Sequence, residues 1–374
     1  MARRHTPYYH KLMALGAEMA DRIGFDAAVR FTTIPEEHLA TRERVGIYDV
    51  YYQGVVDLKG PDAESFLDSH VVNSVGRLAD GQVLYSSMLN TQGGMVDDLT
   101  LVRRAGDHFW VFPTPSRVDI VTAWLTEHAK GRHAYVTNIT SGTAYLSIQG
   151  PRSRELLGKL TDVDLATNVL PYYHATTGVV AEVPALVSRT GYSGELGYEL
   201  FYARDYAEHM WDAVMAAGEE FGVAPCGLGA LRSVRMEKKF PLYGLDLNDT
   251  TSPLEAALDW TVRFDKGDFV GRDALARQRD EGVTRRLVGI AFEGTSFLPK
   301  AGDAIASDGR QVGTVTSSDT GHSLGQTLAM GYVEPAAAAD GTRVTVTLAE
   351  SGESGEGVVH TRAFYDPDRE RVRA

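Results

Sequence analysis

Two carboxylates, Glu195 and Glu199, stand among glycines and aromatic rings in the run Ser188-Arg189-Thr190-Gly191-Tyr192-Ser193-Gly194-Glu195-Leu196-Gly197-Tyr198-Glu199-Leu200-Phe201. A carboxylate that must hold a flat heterocycle needs such a setting: an acceptor pair, a ring to stack on, and backbone free to come close. The same alternation also describes an ordinary hairpin. On an alternating strand, residues 195, 197 and 199 share a face, so either glutamate could be the acceptor. Tyr192 breaks that parity, and the turn from Gly191 to Gly194 must redirect its ring. A second acidic feature is Gly93-Gly94-Met95-Val96-Asp97-Asp98-Leu99-Thr100. A glycine pair, two acids and a β-type run make either a hairpin presenting carboxylate at a strand start or a plain turn with solvated acids.

These residues need a scaffold, and the pattern is mixed. Pro61 to Val71 reads as a short helix opened by proline. Ser116 to Ala129 and Ala203 to Phe221 carry apolar residues at helical spacing, including Ala207, Met210, Trp211, Val214 and Met215. Phe109 to Pro113, Ala144 to Ile148 and Val179 to Val187 read as strands. Beyond Arg279 to Thr284 the texture changes. There Leu287 to Phe292, Gln311 to Ser317, Leu328 to Val333 and Arg343 to Leu348 are short strands between glycine-bearing turns, as in a small barrel.

A chain of 374 residues is expected to fold as two or three domains. With Lys+Arg 37 against Asp+Glu 50, the net charge of -13 argues against a nucleic-acid surface. The single cysteine, Cys226, excludes an intrachain disulfide and fits a packing role better than a nucleophilic one. No stretch approaches the roughly 18 apolar residues of a membrane span, and the expected location is cytoplasmic. The eleven histidines show no metal-ligand spacing.

Further blocks run nearly end to end: Glu37-His38-Leu39 with Arg42, Gly46-Ile47-Tyr48-Asp49-Val50, Gly60-Pro61-Asp62-Ala63 and Gln149-Gly150-Pro151. They continue as Gly227-Leu228-Gly229-Ala230, Arg235-Met236-Glu237, Ser252-Pro253-Leu254-Glu255-Ala256, Lys266-Gly267-Asp268-Phe269-Val270-Gly271 and Ala329-Met330-Gly331-Tyr332-Val333. In this order they resemble the aminomethyltransferase family, the T-protein of the glycine cleavage system and its tetrahydrofolate-dependent demethylase relatives.

The resemblance implies an α+β fold of three domains around a central folate-binding hole, with a C-terminal β-barrel-like domain. The expected division is 1–52 with 140–222, 53–139 with 223–278, and 279–374. The resemblance implies tetrahydrofolate as cofactor and Asp98 as the catalytic carboxylate facing its reactive nitrogens. It also implies Glu199 at the far edge of the ring, aromatic walls from Tyr85, Tyr173, Tyr192 and Trp260, and Arg235 in the cofactor site. The physical fit is direct: the amino-pyrimidinone edge of a pterin presents adjacent N–H donors that a carboxylate accepts as a near-planar pair. Asp98 could then manage a proton or stabilise positive charge at the reacting carbon.

Two departures fall on the substrate side. The family's Ser-His-Met after Asp-Val is replaced by Tyr51-Tyr52-Gln53, and its Ala-Arg-Asp by Ala230-Leu231-Arg232. Leu231 removes a rigid five-donor cation. The expected reaction is therefore transfer of a methyl, methylene or aminomethyl group from a small N-, O- or S-linked donor to tetrahydrofolate. The glycine cleavage reaction on a lipoylated carrier protein is the alternative. A non-catalytic folate-binding factor for iron–sulfur assembly is a third reading, disfavoured because Lys266-Gly267 precedes Asp268 rather than cysteine. A dinucleotide loop at Gly227-Leu228-Gly229 is disfavoured because Arg232 stands at the third glycine and a helix is expected before it.

Overall fold

The strands of this computed structural model, which describes residues 3–50 and 52–374, gather into three sheets and a barrel. The first large sheet runs in the order Ala175–Val180, Val183–Ser188, Gly197–Ala203, Thr143–Gln149, Val45–Tyr48, Val223–Cys226. Its apolar face, with Ile47, Leu146, Ile148, Val187 and Leu200, is covered by helix Ala207–Gly218 through Met210, Trp211 and Val214. The second sheet runs Val83–Leu89, Met95–Ala105, His108–Phe112, Val56–Lys59, Tyr135–Asn138. Helices Ala63–Asp68 and Val118–His128 cover it with Phe66, Leu67, Val121 and Leu125. A small sheet of Arg4–His5, Phe25–Arg30 and Glu18–Arg22 lies at the N-terminal end.

The two large sheets meet through Val83, Val102, Phe112, Leu186 and Phe201, with the Phe112 and Phe201 rings stacked at 4.6 Å. Each such side chain contributes roughly 1.5–3 kcal/mol when fully buried. The contact therefore fixes the strand bearing Glu199 against the strand bearing Asp98.

The C-terminal strands Arg286–Phe292, Gln326–Val333, Arg310–Gly321, Ala304–Ser307, Arg343–Thr347 and Ser354–His360 close into a barrel, which leaves no open edge. Helix Leu228–Glu237 ties it to the first sheet. Ser233 Oγ donates to Thr320 O at 2.6 Å, and Glu237 accepts Ser323 Oγ at 2.6 Å and Arg42 Nε at 2.9 Å.

Three local readings change. Val179 to Val187 is not one strand but the two arms of a hairpin turning at Ala181 and Glu182, whose φ angles are 47° and 66°. A strand, not a helix, precedes Gly227: Val223–Cys226 pairs in parallel with Val45–Tyr48, with Pro225 tolerated because the strand is an edge. Pairing in the first sheet thus runs past residue 222, where the second lobe was expected to resume.

Candidate active site

Where the two large sheets and the barrel converge, a cavity of about 1300 Å³ opens. Asp98 reaches it from the hairpin Val83–Leu89 and Met95–Ala105, where Ser87 pairs with Asp98 and Tyr85 with Thr100. The glycine pair before it is required locally. Gly93 has φ +88°, and a Cβ on Gly94 would collide with the Asp249 carbonyl. Asp98 Oδ2 accepts the Tyr85 hydroxyl at 2.9 Å, while its buried Oδ1 has no partner. Burial pushes the Asp98 carboxyl up to about 6, the Tyr85 hydrogen bond draws it down, and Asp246 adds like charge. Its neighbour Asp97 is buried, accepts Thr114 N at 3.0 Å, and is held well above the usual carboxylate range by burial and by Asp98.

Glu199 reaches the same cavity from strand Gly197–Ala203. Its Oε1 accepts the Tyr145 hydroxyl at 2.5 Å and its Oε2 the Thr190 hydroxyl. Burial raises its carboxyl, and these two hydrogen bonds oppose the rise. Glu195 does not compete. The strand begins at Gly197, so residue 195 lies in the turn before it, where it forms a buried ion pair with Arg42 at 3.1 Å. The parity that placed 195 and 199 on one face applies to a strand longer than the one that forms.

Tyr85, Tyr173, Tyr192 and Trp260 all line the cavity. Tyr85 and Trp260 stack at 5.9 Å and 23°. Tyr192 leaves the turn with its hydroxyl donating to Pro241 O at 2.5 Å and its ring on Phe240 at 5.7 Å. Gly194, at φ +79°, makes that turn against Lys238, leaving no room for a side chain. Tyr173 has φ 64°, a conformation costly for a bulky residue, and is held there by Val83 N donating to its carbonyl at 2.8 Å. Tyr172 crosses it edge-on at 4.6 Å and lines the cavity as well.

Arg235 is fully buried on helix Leu228–Glu237. Its Nη1 donates to Asp246 Oδ2 at 2.9 Å and Phe240 O at 3.1 Å, and its Nε and Nη2 have no partner. Leu231 and Arg232 line the cavity from the same helix, and Arg232 pairs with Asp319 at 3.3 Å. Gln53 lines it too, but Tyr52 belongs to a separate small cavity, stacked on Phe25 at 4.8 Å. Tyr51 lies outside the described residues. Thr190, which holds Glu199, lies within the 188–201 run, whereas Tyr145 and Asp246, which hold Glu199 and Arg235, carry no motif. Strand register is the signal that could have found Tyr145, since it stands opposite Phe201 and is therefore the diagonal cross-strand neighbour of Glu199.

Residues 8–266 match the GCVT N-terminal domain, and residues 285–366 match the glycine cleavage T-protein C-terminal barrel domain. The chain belongs to the glycine cleavage T-protein family. It is 38% identical over 355 residues to an aminomethyltransferase of Halothermothrix orenii, covering 95% of this chain and 98% of that one. It is 39% identical over 350 residues to one of Streptomyces coelicolor, covering 92% and 93%. The crystal structure of glycine cleavage system aminomethyltransferase T from Bartonella henselae superposes with a TM-score of 0.89 at 28% identity, covering 98% and 99%. The α+β fold of the T-protein family, closed by a C-terminal barrel, and an enzyme of the aminomethyltransferase type follow. The expected preference for a small N-, O- or S-linked donor gives way to the alternative, because these relatives are named for aminomethyl transfer. Among the described residues no helix is long and apolar enough to cross a membrane, and no group of three or more His, Cys, Asp or Glu could hold a metal ion.

Proposed function

We propose that this enzyme transfers the methylene carbon of an aminomethyl group held on a lipoylated carrier protein to tetrahydrofolate, with the nitrogen leaving as ammonia and the lipoyl sulfur as thiol. One observation carries the reading. Asp98 and Glu199 line one aromatic cavity, and buried polar atoms of its lining (Asp98 Oδ1, Arg235 Nε and Nη2) lack partners. Buried polar atoms without partners are costly, so the lining suits a ligand bearing both donors and acceptors. A reduced pterin fits that demand.

When bound, tetrahydrofolate supplies the nucleophilic nitrogen that accepts the carbon. Glu199, oriented by Tyr145 and Thr190, accepts the paired N–H donors at the far edge. The rings of Tyr85, Tyr173, Tyr192 and Trp260 hold the flat face and exclude water. Arg235 offers its two unpartnered donors to ligand acceptors. Asp98 Oδ1 takes the proton at the carbon-accepting end. With its carboxyl at about 6, Asp98 is ionised at neutral pH yet basic enough to receive that proton. Most of the rate comes from orientation in this cavity.

The test is to incubate the purified enzyme and tetrahydrofolate with an aminomethyl-loaded lipoylated carrier, or with a panel of N-, O- and S-methyl compounds. Ammonia and one-carbon folates are then measured by mass. Ammonia release with methylene-folate from the carrier alone is expected. Methyl-folate formed only from the small compounds would overturn the choice of donor, and Leu231 and Arg232 would be where to seek the cause.

A further inference from the structure

A second, smaller cavity of about 250 Å³ lies beyond the large one, between the N-terminal strand Arg4–His5 and the first large sheet. Gln53 and Tyr145 wall both cavities. Its volume falls just under the range of drug-sized ligand sites, which suits a small metabolite.

The charges around it are unusual for a space this small. Asp49, immediately after strand Val45–Tyr48, lines it with Thr6 beside its carboxyl and has no ion pair among the described residues. Burial pushes its carboxyl up to about 7, with Thr6 beside it easing the rise. Yet Thr6 Oγ1, on a residue only 3% exposed, has no hydrogen-bond partner. Arg4 and Arg204 supply two guanidinium groups to the same lining. Among the described residues Arg204 donates to the carbonyls of Ser141 and His5, at 3.4 and 3.3 Å, and Arg4 to that of Ile23 at 3.2 Å, with its guanidinium 4.1 Å over the Phe25 ring. Neither lies within ion-pairing distance of Asp49. One cavity therefore holds a carboxylate and two guanidinium groups that do not neutralise one another. The carboxylate is withdrawn from water while both guanidinium groups are exposed, so the desolvation cost falls on Asp49. A ligand carrying both signs, spaced across a few bonds, would partner both.

We propose that the small cavity is a binding site for a small zwitterion of the α-amino-acid class, its cationic nitrogen on Asp49 and Thr6 and its carboxylate on Arg204 and Arg4. An ammonium group donates to a carboxylate and a hydroxyl, and a guanidinium matches a carboxylate with a planar pair of donors. The site sits where the chain leaves its family's pattern. Tyr52 and Gln53, part of the segment that replaces Ser-His-Met, line it, and Tyr52 lies 4.9 Å from the Arg4 guanidinium. Tyr145, which donates to Glu199, places an occupant one side chain from the large cavity.

Calorimetric titration of the whole chain, free of folate, tests this with glycine and alanine as zwitterions and with acetate and methylammonium as the two halves. Saturable binding of at least one zwitterion is expected, with both halves at least tenfold weaker. Asp49→Asn and Arg204→Gln should each weaken it by about tenfold or more, as for a charge pair losing one partner. Arg204 is exposed, so its variant keeps the test sound if Asp49→Asn folds poorly. Acetate or methylammonium binding as tightly as the zwitterions would overturn the proposal in favour of a single-charge site. So would zwitterion binding untouched by Arg204→Gln, or no saturable signal from either zwitterion up to about 10 mM, beyond the millimolar range of weak ligands.

Discussion

Asp98 and Glu237 are both carboxylates withdrawn from water, and their surroundings drive them in opposite directions. At Glu237 burial opposes ionisation, but hydrogen bonds from His38 and Ser323 and the charge of Arg42 outweigh it and hold the carboxyl down at about 2. At Asp98 burial meets the Tyr85 hydroxyl but no cation, Asp246 adds like charge, and the carboxyl rises to about 6. The first arrangement is complete and joins helix Leu228–Glu237 to the barrel. The second leaves one oxygen unpartnered at a cavity. Burial alone distinguishes neither. The unfilled partner marks the place where chemistry is expected.

Replacing carboxyl by amide at the two sites should therefore change stability with opposite signs. Glu237→Gln removes one of the two buried carboxylates paired with Arg42, leaving Glu195, and should destabilise by about 1.5–3 kcal/mol at neutral pH, the value of a hydrogen bond to a charged group. The stability Glu237 supplies is present above its ordinary value of 4.5 and is lost as pH falls through about 2. Asp98, with its carboxyl raised, costs stability instead. That cost is absent below 3.8, grows between 3.8 and about 6, and is full above. Asp98→Asn should then stabilise the fold at alkaline pH, with the gain shrinking towards zero as pH approaches 3.8. Denaturant unfolding across pH checks both, and destabilisation by Asp98→Asn at alkaline pH would break the comparison.

The same carboxyl should set the acid limb of activity. With Asp98 acting as an ionised base, kcat/KM should rise with pH through a midpoint of about 6. Tyr85→Phe removes the hydrogen bond that favours the ionised form, so it should move that midpoint upward. A pH–rate profile flat across that region would contradict the assignment.

A smaller effect is expected at the cavity mouth. Trp260 is 48% exposed and stacked on Tyr85. Trp260→Leu should weaken tetrahydrofolate binding by about three- to tenfold, the value of one aromatic contact, and leave kcat unchanged. Calorimetry alongside steady-state kinetics separates the two.

Much of this architecture is legible in the chain. The ordered blocks and the glycine-punctuated strands of the last hundred residues point to a three-part α+β fold with a barrel. What the chain hides has physical causes. The turn at Ala181 and Glu182 uses left-handed backbone without the glycine or asparagine that usually marks it, so two strands read as one. The strand Ser354–His360 contains Gly355 and Gly357, poor strand formers, present because a Cβ there would strike Phe297 and Ile290. The choice between Glu195 and Glu199 depends on where strand Gly197–Ala203 begins and on Arg42, more than 150 positions away in the chain. The position of Tyr52 depends on the N-terminal strand that walls the small cavity.

The division of labour between the two ends of the large cavity is tested most directly by one paired measurement: tetrahydrofolate affinity and single-turnover rate for Asp98→Asn and Glu199→Gln. Asp98→Asn should hold affinity within about tenfold while the rate falls on the order of 10²-fold or more. Glu199→Gln should lose roughly ten- to a hundredfold in affinity. An Asp98→Asn enzyme turning over at the wild-type rate, or a Glu199→Gln enzyme binding folate as tightly as wild type, would contradict the account.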